Sequence, residues 1–137
     1  MKATDLMVGD WVKYTRTGIP ARVAGIIKTS KECNIYAYVG TGNRLQGINE
    51  RCFEPIPLTE DFLLKNGFYK EECKECNYLR FFRLGVSVKK VTTGWYIHTS
   101  NVKESLHDFN EFSGLIHYVH ELQNVLTIND IEKEVKI

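Results

Sequence analysis

The chain has few of the features that mark membrane, secreted or disulfide-stabilised proteins. Its 137 residues include only four cysteines and three prolines, and no apolar run approaches the length that a membrane-spanning helix needs. The first six residues, Met1-Lys2-Ala3-Thr4-Asp5-Leu6, lack the apolar core of an export signal. We therefore expect a cytoplasmic protein with no membrane partner, whose cysteines are free thiols rather than disulfides.

An excess of charge of one sign is also missing. The net charge is +1, and residues 1–58 carry eight Lys or Arg against five Asp or Glu, whereas residues 59–137 carry ten against twelve. A dedicated nucleic-acid binder has a much stronger basic footprint, so this class is disfavoured. With 43% hydrophobic and 12% aromatic residues, the chain can fill one core. We predict two subdomains, residues 1–57 and 58–137, packed as one compact unit.

Motifs for nucleophilic catalysis and phosphate binding are absent from the sequence. It has no Gly-x-Ser-x-Gly elbow, and no cysteine stands in a recognisable catalytic context. The glycine-rich stretch Gly40-Thr41-Gly42-Asn43 lacks the lysine and the following helix of a phosphate-binding loop, so we interpret it as a hairpin turn. We expect a protein that is not an enzyme and has no cofactor.

Metal binding has only weak candidates. Cys73-Lys74-Glu75-Cys76 resembles one zinc knuckle, but a structural zinc site usually needs two, and Cys33 and Cys52 are isolated. In His117-Tyr118-Val119-His120-Glu121 the acidic residue follows both histidines, whereas zincin motifs place it between them. We interpret the histidines as part of a solvated helix face and expect no bound metal. Two metal alternatives stay open: a zinc site of Cys73, Cys76 and two distant ligands, and a site of His117 and His120 that His98 and His107 complete.

Residues 8–53 predict a set of short β-strands. Strands of alternating pattern are separated by turn signals such as Thr17-Gly18-Ile19-Pro20, and four or five short strands in about fifty residues suit a small bent barrel better than a sandwich. We predict an SH3-like barrel. Its strands are expected at residues 11–14, 21–28, 35–39, 45–49 and 52–53.

A hinge and a capped helix follow the predicted barrel. Pro55 and Pro57 disfavour helix in the residues before them, so the β-rich segment ends here. Thr59 is a good N-cap, followed by acidic residues in the first turn. The sequence Asn66-Gly67-Phe68 predicts a left-handed C-terminal cap.

The second half predicts one hairpin and one helix. Residues 78–91 alternate apolar and polar side chains as one half-buried strand, and residues 95–99 return as its partner after the turn Thr92-Thr93-Gly94. The helical spacing of four apolar residues then predicts an amphipathic helix of about three turns. These residues are Leu115, Val119, Leu122 and Leu126. The predicted fold class is therefore α+β, with an N-terminal SH3-like barrel, a capped helix, an antiparallel hairpin and a C-terminal helix.

The barrel offers the best candidate binding surface, because it combines aromatic and basic residues that could stack on bases or side chains and contact phosphates. Tyr38 and Arg16 extend this surface, although alternate residues of each strand must face the interior. The partner is a protein, a peptide or a nucleic acid. The candidate binding residues are Trp11, Lys13, Tyr14, Arg22, Tyr36 and Arg44.

Three segments carry recognisable motifs: Gly9-Asp10-Trp11-Val12 within residues 1–12, Glu54-Pro55-Ile56-Pro57-Leu58-Thr59 with Asn66-Gly67-Phe68, and Tyr118-Val119-His120-Glu121-Leu122-Gln123-Asn124. Together they resemble a family of small uncharacterised proteins of gut anaerobes that is associated with prophages and other mobile elements. The first motif is also similar to the first strand of SH3-like barrels. The family resemblance implies a context, but no activity and no catalytic residue.

We therefore predict a non-enzymatic binding module that serves as an accessory protein of a phage or mobile element. Two alternatives remain open. One is a metal-dependent enzyme or zinc-stabilised domain that uses the histidines and cysteines, and the other is a structural or assembly component.

Overall fold

The computed structural model describes residues 1–42, 44–73, 78–83, 85–99, 113–128 and 135–137. The chain divides into two compact units. The first contains Met1–Pro57, Tyr118–Asn124 and Ile137, and the second contains Leu58–His117 and Val125–Lys136. The predicted subdomains, residues 1–57 and 58–137, stay a prediction.

The first unit contains a five-stranded antiparallel sheet, which we call sheet 1. Its order is β4-β3-β2-β1-β5, so each of the first three strands pairs with the next along the chain and β5 returns to pair with β1. The register of β2 on β3 shifts between Val23 and Gly25, where a bulge interrupts the ladder. The strands are β1 (Trp11–Tyr14), β2 (Ile19–Lys28), β3 (Cys33–Val39), β4 (Leu45–Asn49) and β5 (Phe53–Pro55).

The strands of sheet 1 bury alternate residues, as a half-buried sheet requires. Val12 lies opposite Ala21 in the register, and both are fully buried. Their neighbours Trp11 and Arg22 face the other side, which we call the outer face of sheet 1. The buried core of this unit consists of Ala3, Leu6, Val12, Ala21, Val23, Ile35, Ala37 and Phe53.

The second unit contains a second five-stranded antiparallel sheet, sheet 2, and a short helix. The order of sheet 2 is β10-β9-β8-β7-β6, a simple up-and-down arrangement. The helix, α1 (Glu60–Lys65), precedes it in the chain. A second helix, α2 (Val119–Ile128), has residues in both units. The strands of sheet 2 are β6 (Tyr69–Cys73), β7 (Tyr78–Arg83), β8 (Val86–Val91), β9 (Gly94–Thr99) and β10 (Ser113–Ile116).

The local signals around α1 are confirmed. Thr59 Oγ1 accepts a hydrogen bond of 3.2 Å from the Phe62 backbone N–H, as an N-cap does. At the other end Gly67 has a φ of +84°, and the Phe68 N–H donates to the Leu63 carbonyl oxygen at 3.1 Å. This is the predicted left-handed C-terminal cap. The predicted hairpin around the turn Thr92-Thr93-Gly94 is also confirmed, because β8 pairs with β9 there.

The predicted α+β fold class is wrong. The described residues are mostly β-structure in two antiparallel sheets, and their helices are the six-residue α1, the ten-residue α2 and two three-residue 3-10 turns, Ala3–Asp5 and Glu50–Cys52. Among the described strands, β4 and β5 are the two edges of sheet 1, and no pairing joins them into a closed SH3-like barrel. A closed barrel requires that last pairing.

The second half departs most from the sequence prediction. Residues 78–91 form two strands instead of one, because Gly85 has a φ of +82° and the chain reverses so that Arg83 lies opposite Val86. Leu115, which we predicted to be in the C-terminal helix, lies on β10 and is 43% exposed. Strand β6 was not predicted, because its sequence Tyr-Lys-Glu-Glu-Cys is charged, as suits the edge of a sheet.

The two leucines of the predicted stripe should respond differently to truncation. Leu122 is fully buried on α2, so Leu122→Ala should lower the free energy of unfolding by about 2–5 kcal/mol. Leu115→Ala, the matched control on the exposed side of β10, should cost less than about 1 kcal/mol. Denaturant melts of both variants test this, and an equal loss for the two would contradict the position of Leu115 on β10.

Candidate binding site

A pocket lies on the outer face of sheet 1, where side chains from three adjacent strands form a row. Trp11 of β1 is opposite Arg22 of β2, and Arg22 is opposite Tyr38 of β3. Residues directly opposite on one sheet face are close enough to interact, so the register alone places these three side chains together. The pocket has a volume of about 390 Å³. It is lined by Trp11, Arg22, Tyr38, Gly40, Thr41 and Gly42.

Arg22 gives the pocket its charge. Its guanidinium carbon lies 5.9 Å from the centre of the Tyr38 ring, within the range of a cation–π interaction. Trp11 and Tyr38 are half-buried, whereas Arg22 is exposed. Among the described residues that line the pocket, Arg22 is the one with a charged side chain. The arrangement combines two aromatic side chains with one cation.

The other predicted binding residues do not line this pocket. Lys13 shares the outer face but forms a salt bridge of 2.7 Å with Glu54, and Tyr36 is half-buried on β3. Tyr14 lies on the core side of the sheet, where its ring centre is 5.9 Å from that of Phe53. Arg44 is exposed just before β4. The binding role of all six residues stays a prediction.

The turn from Gly40 to Gly42 is a part of the site that sequence reasoning did not include. We interpreted it only as a hairpin turn, and it does connect β3 to β4. Gly40 has a φ of +70°, a conformation that glycine adopts without strain. The three residues of this turn line the same pocket as Tyr38. The one sequence signal that could have indicated this turn as part of the pocket was its run of small residues, Gly40-Thr41-Gly42.

A buried amide on α2 fixes the start of the strand that carries Trp11. Gln123 Oε1 accepts a hydrogen bond of 2.9 Å from the Trp11 N–H, and Gln123 Nε2 donates to the Gly9 carbonyl oxygen at 3.1 Å. We call these two bonds the Gln123 bridge. Between the two bonded residues, the carboxylate of Asp10 accepts from the Met7 N–H at 2.8 Å. Sequence reasoning did not single out Gln123, which is fully buried.

His120 differs from its predicted role on a solvated face, because it is only 4% exposed. Its ring stacks on Tyr118 with centres 5.8 Å apart, and its Nδ1 has no hydrogen-bond partner among the described residues. Burial lowers the pKa of His120 below its ordinary value of 6.5, although the negative charge of Asp10 acts in the opposite direction. Smaller contributions that raise this pKa come from Glu121 and Asp5, and the N-terminal amine lowers it.

The structure does not bring the candidate metal ligands together in the part that it describes. His117 precedes α2 rather than lying on it, so the helical spacing that we assumed for His117 and His120 is wrong. No group of three or more His, Cys, Asp or Glu within the described ranges could hold a metal ion. Cys33 and Cys52 are free thiols, and His98 is exposed on β9. The Cys73 side chain, Cys76 and His107 lie outside what is described, so the absence of bound metal stays a prediction.

Comparisons with models of known protein families, with curated proteins and with solved structures find no match. The resemblance to a family of mobile elements therefore stays a prediction. Within the described residues, neither helix has the length and apolar character that crossing a bilayer would require.

Removal of the Gln123 bridge should destabilise the first unit. Gln123→Ala leaves the Trp11 N–H and the Gly9 carbonyl without these partners, and each unsatisfied buried group costs about 1–3 kcal/mol. We expect a loss of about 2–4 kcal/mol in the free energy of unfolding by denaturant melts. The exposed Gln46→Ala is the matched control. A cost for Gln123→Ala no larger than that of the control would contradict this role of the bridge.

The burial of His120 should make stability depend on pH. The pKa of His120 is lower in the folded state than in the unfolded state. As the pH falls through about 6.5, the His120 imidazole of the unfolded chain therefore binds a proton at a higher pH than that of the folded chain. The free energy of unfolding should therefore be highest above this pH and should decrease towards about pH 5. His120→Gln should flatten this slope, measured by urea melts across the range. The exposed His98→Gln should leave the slope unchanged, and identical slopes in all three proteins would refute the assignment.

Proposed function

We propose that this protein is a non-enzymatic binding module that acts through the outer face of sheet 1. The observation that carries the proposal is the convergence of Trp11, Arg22 and Tyr38 around one pocket. Tryptophan, tyrosine and arginine are the residue types that most often dominate the energetics of protein interfaces. Large half-buried rings supply contact area and lose little conformational entropy on binding. The biological context that we propose is an accessory protein of a phage or mobile element, as the family resemblance implies.

A peptide segment of a protein partner fits the pocket better than a nucleic acid does. Nucleic-acid affinity depends on several cations that neutralise successive phosphates. Of the described residues that line the pocket, Arg22 is the one cation, and the charge of Lys13 on the same face is compensated by Glu54. A volume of about 390 Å³ is near the lower end of the range of roughly 300–1,000 Å³ that ligand sites occupy. This volume suits a short segment with one anchoring side chain.

The two alternative functions have less support. A metal-dependent enzyme would need a cluster of ligands, and none occurs within the described residues. A structural or assembly component would need a large apolar contact surface. The pocket combines rings with a charge, which favours recognition of a small motif over permanent assembly.

The first test is a binding experiment with unrelated classes of ligand. The full chain should select members from a displayed library of random peptides, and affinity for the selected peptides should change little between low and moderate salt. Trp11→Ala should weaken this binding by roughly 30-fold or more, as expected for an interface hot spot. Tyr69→Ala, which removes an exposed ring on sheet 2, should not change it.

Labelled single-stranded DNA, duplex DNA and RNA are the competing ligands. We expect no tight complex with any of them. If one binds tightly, with an affinity that falls steeply as salt increases, the partner is a nucleic acid and the peptide proposal is wrong. Circular dichroism of Trp11→Ala distinguishes lost binding from lost folding, and Trp11→Phe provides a milder variant at the same position.

A further inference from the structure

We propose that the edge strand β4 of sheet 1 pairs with β4 of a second copy of this chain and so forms a weak, two-fold symmetric dimer. The two strands run antiparallel, and Gly47, the middle residue of β4, lies at the two-fold axis. Strand pairing of this kind joins the two copies of sheet 1 edge to edge. It goes beyond the proposed binding function and does not depend on it.

The edge of β4 has none of the devices that usually protect a sheet edge from pairing. Its sequence, Leu-Gln-Gly-Ile-Asn, contains no charged residue and no proline, and its first three residues are exposed. Its register on β3 is regular over all five residues. The opposite edge of sheet 1, by contrast, contains Glu54 and Pro55. The backbone groups along the outside of β4 can therefore bond to another uncharged strand.

The charges on either side of β4 make a second copy the matching partner. In a symmetric pair centred on Gly47, each residue faces the one at the same distance on the other side of Gly47 in the second copy. Arg44, exposed just before β4, therefore approaches Glu50 of the second copy, just after its β4. Glu50 is held in position because its Oε2 accepts a hydrogen bond of 3.0 Å from the Ala3 N–H. The symmetry forms this pair of opposite charges twice.

The residues at the axis provide an apolar contact as well. A Cβ atom at position 47 would lie 2.9 Å from Cε1 of Tyr36, so the half-buried Tyr36 ring covers Gly47 on the outer face of sheet 1. Leu45 lies on the same face, opposite Tyr38, and is 48% exposed. A two-fold axis perpendicular to the sheet keeps this face on one side in both copies. The Tyr36 rings and the Leu45 side chains of the two copies therefore pack near the axis.

The size of the contact indicates a weak dimer. Strand β4 supplies five residues from each copy, whereas a stable interface of standard size has about 20–30 residues a side. We expect a dissociation constant of roughly 10–100 µM, typical of a small and reversible contact. Because the outer face of sheet 1 is on the same side in both copies, the dimer presents two candidate pockets side by side.

The first test measures the average mass of the full chain by sedimentation equilibrium, at concentrations below and above this constant. We expect the mass to increase from that of one chain to that of two. Hydrogen exchange should locate the contact, because backbone amides of β4 should exchange more slowly in concentrated than in dilute protein, whereas those of β5 should not change. A single chain at every concentration, or a dimer without added protection in β4, would overturn the proposal.

Charge variants test the register. Arg44→Glu should weaken the dimer about 10-fold or more, because two carboxylates then face each other at each end of the paired strands. Arg16→Glu is the matched control: it makes the same charge change at an exposed residue in the turn between β1 and β2, and should have no effect. Adding Glu50→Lys to Arg44→Glu should restore most of the affinity. Circular dichroism verifies that each variant is folded. Equal affinities for Arg44→Glu and Arg16→Glu, or a folded double variant without recovery, contradict the pairing centred on Gly47.

Leucine variants distinguish β4 from β10, an edge strand of sheet 2 that is also uncharged. Leu45→Glu should weaken the dimer about 10-fold or more, because it places a charge on the unprotected edge and removes the contact at the axis. Leu115→Glu, at a residue of similar exposure on β10, should leave the dimer unchanged. If Leu115→Glu dissociates the dimer and Leu45→Glu does not, the contact lies on sheet 2 and the proposal is wrong.

Discussion

A buried side-chain amide holds the beginning of sheet 1 in place. Gln123 bonds to the Gly9 carbonyl and the Trp11 N–H, which are the groups that a neighbouring strand would otherwise satisfy. Because Trp11 opens β1, and β1 pairs with both β2 and β5, the bridge anchors the strand on which the register of the sheet depends. That register places Trp11, Arg22 and Tyr38 in one row. The candidate site thus depends on a residue that does not line it.

The second unit contains a similar device, within its own residues. Asn66 Nδ2 donates to the Lys136 carbonyl oxygen at 2.9 Å, and the Lys136 N–H donates to Asn66 Oδ1 at 2.7 Å. The tail that carries Lys136 belongs to no strand, and the neighbouring Val135 is buried. In each unit a primary amide therefore bonds to one backbone N–H and one backbone carbonyl, those of Trp11 and Gly9 in the first unit and those of Lys136 in the second. An amide suits this role because it offers one donor and one acceptor side by side.

The sequence predicted the caps, turns and strand positions that neighbouring residues determine. It did not predict the strand pairing that residues distant in the chain determine. The Thr59 cap, the Gly67 stop and the positions of β1 to β5 follow from local patterns, and the structure agrees with them. Whether sheet 1 closes into a barrel, and which strands form in the second half, depend on pairing between strands. Local sequence patterns specify that pairing weakly. In the site, the sequence predicted that alternate residues of each strand face the interior, but the register of three strands is what joins Trp11 to Tyr38. His120 was predicted to lie on a solvated face, and Gln123 was not singled out, because nothing in the sequence of α2 indicates which of its polar positions are buried.

The family resemblance, which stays a prediction, is carried largely by buried residues. Two of its motifs, Gly9-Asp10-Trp11-Val12 and the segment of residues 118–124, contain the two sides of the Gln123 bridge. The residues in them that are most buried are Asp10, Val12, Val119, Leu122 and Gln123. A sequence resemblance in such buried residues is explained by the packing of the first unit. It therefore predicts that family members share a fold rather than a binding partner. Of the residues in these two motifs, Trp11 is the one that also lines the pocket. In the binding function that we propose, partner specificity should therefore depend on Arg22, Tyr38 and the turn from Gly40 to Gly42, which lie outside the motifs and form no part of the bridge.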